Sequence, residues 1–295
     1  MPLSRRAFTH IAAATALASN AQAASSKSTS SKNGPFDLND PYERLLAYIK
    51  VRANLNGAPA YYHYHADYFG IPDGGPAKLM FKREGVSVHR MVAYPDRTVG
   101  MRYRECNYVL DADGKQAETL TNVFTGATIT PKPQVPNAGL KVIISTDGVI
   151  DTGLKLTPPS SSVMLDMPPV IAGDRIWFTD DIMLFRTAGD PSGFQLSTPR
   201  PGDNQLTETI TFEASLKDVQ NPKLSSAPAT AVIGAVAQWT PWLNMKTAEG
   251  KDINGRMLLR YRCVKLKSPD ELPKWLSARI NKDHGDFLSD PKLEL

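Results

Sequence analysis

The sequence predicts a mainly β protein built on an antiparallel sheet rolled into a barrel or sandwich. Three observations carry this. From Ala60 onward the apolar pattern has a period of two; turn formers such as Pro72-Asp73-Gly74-Gly75, Asp111-Ala112-Asp113-Gly114 and Asp190-Pro191-Ser192-Gly193 punctuate it; and no strand–helix–strand alternation or nucleotide-binding glycine loop interrupts it. With 295 residues, 41% hydrophobic and 22% charged, the chain has ample material for one core, and one domain behind a leader is expected. The 34 basic and 30 acidic residues are scattered, so no phosphate-tracking surface is visible and nucleic acid is not an expected partner.

Residues 1–23 read as an export signal peptide. Ser4-Arg5-Arg6-Ala7-Phe8 is a basic start, Ile11 to Ala18 a short apolar stretch, and Ala21-Gln22-Ala23 a small-x-small cleavage pattern, too short together to serve as a stable membrane span. The paired arginines before Phe8 resemble the twin-arginine signal, which makes that export machinery an expected partner and the periplasm or the exterior the expected destination. Residues 24–35 form a Ser/Lys-rich tether without apolar period. The single folded domain is expected over 36–295.

Asp40-Pro41-Tyr42-Glu43 is a helix start, since Asp caps free amides, Pro suits the first helical position and Glu43 can return a bond to the cap. The helix is predicted to about Ala53, burying Tyr42, Leu45, Leu46, Ile49 and Ala53. Strands are predicted at about 60–69, 78–83, 86–94, 99–110, 116–123, 140–146, 174–186, 206–214, 230–239 and 257–266. Pro131 to Asn137 and Thr157 to Pro169 are proline-rich crossings, either loops over a barrel mouth or surface excursions. Pro273 opens a terminal helix to about Lys282 with Trp275, Leu276 and Ile280 on its apolar face.

The run from Ala60 to Tyr68 concentrates chemistry. On a strand, Tyr62, Tyr64, Ala66 and Tyr68 share one face while Tyr61, His63, His65 and Asp67 share the other. His63 and His65 are candidate proton-transfer groups, with Asp67 to orient one of them. The same His-x-His spacing lets two imidazoles reach one metal with a carboxylate as third ligand; no fourth ligand stands nearby in sequence, and no metal or organic cofactor is assigned. The plain alternative makes this the wet outer face of a strand whose tyrosines are core.

Arg90 and Glu105 are candidates to fix polar substituents of a ligand, because an inward charge on these strands would need a partner. Arg102 and Arg104 share the face opposite Glu105, and surface ion pairs are the simpler outcome for this charge-rich region. Trp177 and Trp239 are candidate ligand walls, with core packing as the alternative. Asp180 and Asp181 are adjacent and so oppose each other, which argues against a glycosidase pair made from these two. Cys106 and Cys263 are the two cysteines, and an oxidising destination would allow them to pair.

The chain resembles domain-of-unknown-function family 1838. The resemblance rests on Phe36-Asp37-Leu38-Asn39-Asp40-Pro41, on Arg102-Tyr103-Arg104-Glu105, on Leu120 to Gly126 and on Gln238-Trp239-Thr240-Pro241-Trp242, in that order. In the family's Trp-x-Asn-Pro-x-Thr-Gly turn, Asn122, Thr125 and Gly126 fit while Leu120 and Val123 replace the Trp and Pro. The resemblance implies a calycin-like β-barrel and no activity; the capping patterns add an N-terminal and a C-terminal helix to it.

The function expected is that of a cofactor-independent acid/base enzyme, an isomerase or lyase, acting on a small apolar, aromatic or isoprenoid-like molecule inside the barrel. A non-catalytic exported binding protein for such a ligand and a metal-dependent hydrolase are the alternatives.

Overall fold

The computed structural model describes residues 35–136, 140–148, 150–151, 161–165, 168–185 and 204–295. The leader expected over 1–23 and nearly all of the tether lie outside the described residues. Three helices are described, α1 (Pro41–Arg52), α2 (Leu216–Gln220) and α3 (Lys274–His284). The strands are β1 (Ala60–Pro72), β2 (Lys78–Ala93), β3 (Val99–Leu110), β4 (Leu120–Thr121), β5 (Thr128–Ile129), β6 (Leu140–Ile144), β7 (Ile150–Asp151), β8 (Ser161–Leu165), β9 (Val170–Ala172), β10 (Arg175–Phe185), β11 (Asn204–Ser215), β12 (Ala229–Ala237) and β13 (Gly255–Leu266).

One antiparallel sheet dominates, in the order β7-β6-β3-β2-β1-β13-β12-β11-β10-β8, with β9 also on β10 and a separate β4-β5 pair. It curls into a half-barrel whose end strands, β7 and β8, are not hydrogen-bonded to each other among the described residues. The two end strands nevertheless lie against each other, so the sheet is barrel-like, as the alternation predicted. At its centre β1 lies between β2 and β13, so residues near 60 and near 260 are neighbours.

The alternation read from the sequence becomes two faces. On the concave side Tyr62, Tyr64, Ala66 and Tyr68 join Phe81, Met91, Phe178, Phe212 and Leu259 in the main core. On the convex side Val86, Val88, Cys106 and Tyr108 pack under Leu272, Leu276 and Ile280 of the α3 region and under Phe287, Leu288 and Leu293 of the tail.

Helix α1 packs into the concave side. Asp40 caps it by accepting from the Tyr42 and Glu43 amides, which holds the Asp40 carboxyl below its ordinary pKa. Its last carbonyls are capped by a strand residue: the Lys265 Nζ donates to Lys50 O, Val51 O and Ala53 O at 3.1, 2.8 and 2.6 Å. Lys50 in turn donates to Val219 O at 2.7 Å and Asn221 O at 2.5 Å, at the end of α2. Two lysines thus supply the positive charge that helix C-termini favour. Burial pulls them down, Lys265 to about 7 and Lys50 to about 8.

Two strand expectations are corrected. Positions 78–83 and 86–94 belong to one strand, β2, because Gly85 is a packing requirement rather than a break: a Cβ there would collide with the Cys106 carbonyl, Asn107 and the Tyr64 hydroxyl. The segment 116–123 contributes only Leu120–Thr121 and an isolated bridge from Gln116 to Leu110. There Asn122 accepts from the Phe124 and Thr125 amides, a turn that consumes the bonds a longer strand would need.

Candidate functional site

The seven sequence candidates separate to both sides of the sheet. His63, His65 and Asp67 are on the convex face and do not enter the concavity. Asp67 orients neither imidazole; its Oδ2 lies 3.6 Å from an Arg262 nitrogen. The carboxylate that meets the histidines is Glu84, directly opposite His65 in the β1–β2 register. His63 Nε2 is 2.8 Å from Glu84 Oε1 and His65 Nδ1 3.7 Å from Glu84 Oε2.

Arg90 is also convex. It donates to Gly57 O at 2.9 Å and Leu293 O at 3.0 Å, while Arg102 reaches Glu294 O at 2.9 Å and Arg104 reaches Pro291 O at 2.7 Å. These three arginines hold the C-terminal tail by its backbone. Trp177, half-buried, shares its side of β10 with Thr179, away from the buried Ile176, Phe178 and Asp180. Trp239 is buried, donates to Ile253 O at 2.8 Å and packs on Phe124. Cys106 and Cys263 are both free and lie in opposite layers, so the sheet itself separates them. Burial pushes both thiols up to about 12.

Of the seven, Trp239 belongs to the concave core and Glu105 is the charged one that projects into the concavity, where it is surrounded. It accepts from the Tyr64 hydroxyl, from Asn107 Nδ2 at 3.3 Å and from Gln134 Nε2 at 3.2 Å. All three partners are donors, the pattern a carboxylate takes. Gln134 arrives from the first proline-rich crossing, which pairs by backbone with Asn107 and so extends the open edge of β3. Asn107 is fixed from its other side by Arg83 at 2.8 Å. Beside them the Tyr68 and Tyr261 hydroxyls are 2.5 Å apart, and the Arg83 guanidinium stacks over Tyr68.

Glu208 completes this group from β11. It follows the parity of the inward Ile210 and Phe212, and burial first, then the Glu105 charge, pushes its carboxyl up to about 7, with Arg52 opposing. Burial likewise raises the Tyr64, Tyr103 and Tyr261 hydroxyls above their ordinary value, and Glu105 adds to the effect on each. The arrangement offers neutral phenol donors and two carboxyls of different environment, one of them poised near neutrality, which is how acid and base roles are divided in a single site.

Deeper in the same face, Arg52 pairs with Asp180 and contacts the Tyr48 hydroxyl, and Tyr48 donates to Asp180 at 2.8 Å. Arg52 Nε also donates to His89 Nδ1 at 3.3 Å, leaving His89 Nε2 to face Ser87 Oγ at 2.9 Å. Because arginine has no acceptor, the His89 proton sits on Nε2, and the ring donates to Ser87 rather than accepting its proton. Burial, then Arg52 and Lys265, holds His89 well below its ordinary pKa. Ser87 is thus not an activated nucleophile.

Three of the motifs that suggested a family have these places: Glu105 lies in the concave site, Asn122 builds the turn after β4, and Trp239 packs on Phe124 of that turn. The family model "Protein of unknown function (DUF1838)" matches residues 57–295. The chain belongs to the DUF1838 family. That match covers β1 through the C-terminal tail, and so every residue of the concave group from Tyr64 to Tyr261. No curated protein matches this DUF1838 chain. Among solved structures, the crystal structure of MucB in complex with MucA(peri) aligns over 82% of this chain and 96% of that chain at 11% identity, but with a TM-score of 0.10 it carries no argument. No helix among the described residues of this DUF1838 protein is long and apolar enough to cross a membrane.

Glu208, Gln134, Tyr64 and Tyr261 were missed as site residues. A signal existed for Glu208, which takes the apolar parity of Leu206, Ile210 and Phe212; the same is true of Asp180 between Phe178 and Ile182. An acid in an apolar stripe is a buried charge in need of a reason.

Proposed function

We propose that the concave face binds a small molecule with an apolar body and a carbonyl or hydroxyl handle, and transfers a proton within it without an organic cofactor. The observation that carries this is the convergence of Glu208, near neutrality, with Glu105 among the hydroxyls of Tyr64, Tyr68 and Tyr261. In an isomerisation, the Glu208 carboxylate takes a proton from the carbon next to the carbonyl. The released electron pair moves to the carbonyl oxygen, where a tyrosine hydroxyl stabilises it, and Glu208 returns the proton at a second carbon. Elimination would differ only in where the proton and leaving group depart. The chain would act outside the cytoplasm, delivered there by twin-arginine export.

A carrier of the same ligand is the second interpretation, favoured by the placement of His63 and His65 outside the concavity. Native mass spectrometry of the mature protein from its own exporting host, followed by release and identification of the bound molecule, supplies the compound for assay. Conversion by the wild type, with Glu208→Gln retaining binding but losing turnover by about 100-fold or more, is the expected result. Binding with no conversion by either protein overturns the enzyme in favour of the carrier.

A further inference from the structure

We propose that His63, His65 and Glu84 form a binding site for one divalent transition-metal ion, best matched by zinc, on the convex face of the sheet. The site is separate from the concave group, since all three side chains leave β1 and β2 on the opposite side of the sheet.

One nitrogen from each imidazole and one carboxylate oxygen lie within 4.8 Å of one another. Metal bonds of about 2.0–2.1 Å place tetrahedral ligands roughly 3.4 Å apart. The three atoms therefore need only a small side-chain adjustment to share an ion. Much of it falls to His65, whose side chain is 61% exposed and free to rotate. The backbone does not have to move: His63 and His65 are two apart on one strand, and Glu84 is fixed opposite His65 by the antiparallel register. The imidazole rings are 4.8 Å apart at 72°, so they do not stack face to face and shut the ion out.

The second argument is charge. The Glu84 side chain is only 8% exposed, and its ionic partners among the described residues are these two imidazoles. A carboxylate withdrawn from water needs a positive partner, and Arg262, which stands opposite His65 on β13, is turned to Asp67. A cation between Glu84 and the histidines supplies that charge. Two imidazoles and one carboxylate suit zinc and its neighbours rather than magnesium or calcium, which prefer all-oxygen sites. Three protein ligands leave a fourth position for water or an incoming group.

Tag-free mature protein, stripped with EDTA, is titrated with zinc sulfate by calorimetry and with cobalt chloride by visible absorption. One ion per chain is expected, with an intensified cobalt spectrum and a raised thermal midpoint. His65→Gln alters an exposed side chain and should fold as the wild type does. It should lose more affinity than the about 10–100-fold that removal of an outer-shell partner costs, and Glu84→Gln should do the same. Absence of zinc binding, or weak binding that His65→Gln leaves unchanged, overturns the proposal.

Discussion

The two faces of β1 handle polar groups in opposite ways. On the concave side Tyr64 engages Glu105 and Asn107, Tyr68 engages Tyr261 and Arg83, and Tyr62 donates to Val51 O at 2.8 Å. On the convex side His63 and His65 share one carboxylate, and Asp67 has a loose pair with Arg262. The lesson concerns where a polar side chain spends its bonding capacity. The concave groups are cross-braced by several elements, so they hold a fixed geometry in low dielectric. The convex histidines keep ligand capacity in reserve.

The largest expected effect breaks the bracing itself. Asp180→Ala leaves Arg52 buried without its carboxylate and Tyr48 without its acceptor, a loss of about 3–5 kcal/mol. Urea unfolding should show the midpoint fall steeply, with the concave cluster lost as a unit.

The second test sharpens the contrast by using pH. Glu208 titrates near 7 when folded, against an ordinary value of 4.5. A raised carboxyl pKa means that the folded chain holds the proton more tightly than the unfolded one. Its contribution is therefore most favourable below pH 4.5 and declines as pH rises to about 7, then stays level. Glu208→Gln removes that decline, so unfolding at pH 5 and pH 8 should show the variant gaining on the wild type at the higher pH by on the order of 2 kcal/mol. Parallel pH profiles for the two proteins would place the raised carboxyl elsewhere.

The smallest effect belongs to the convex face. Asp67→Asn removes one member of a pair whose arginine is 76% exposed, and the thermal midpoint should move by less than about 0.5 kcal/mol equivalent. A loss above 1 kcal/mol would mean that the convex face is braced as well.

Much of this contrast was legible. The alternation from Tyr61 to Tyr68 sorted tyrosines from histidines correctly because a strand's period needs no partner to be read. What required the partner was register. Glu84 rather than Asp67 meets the histidines because of how β1 and β2 slide against each other, and no local pattern encodes that offset. The concave site was harder still, since Tyr64, Glu105, Gln134, Glu208 and Tyr261 come from five separate stretches of chain. Segments 78–83 and 86–94 were read as two strands, whereas one strand runs through both with Gly85 filling the close approach to β1 and β3. Arg90 was placed at a ligand for want of the tail that occupies it, a contact 203 residues away in sequence.

The seam between β1 and β13 has a consequence for how the molecule comes into being. During synthesis β1 can pair with β2 at once, but its other edge faces nothing until β13 has left the ribosome. Tyr261, which meets Tyr68 across that seam, arrives with it. Until then the tyrosine stripe that becomes the concave floor is an exposed sheet edge, the kind of surface on which chains misassemble. The long-range pairing that builds the site is thus also the last to form, and slow translation of the final third of the chain would lengthen the interval in which it is vulnerable.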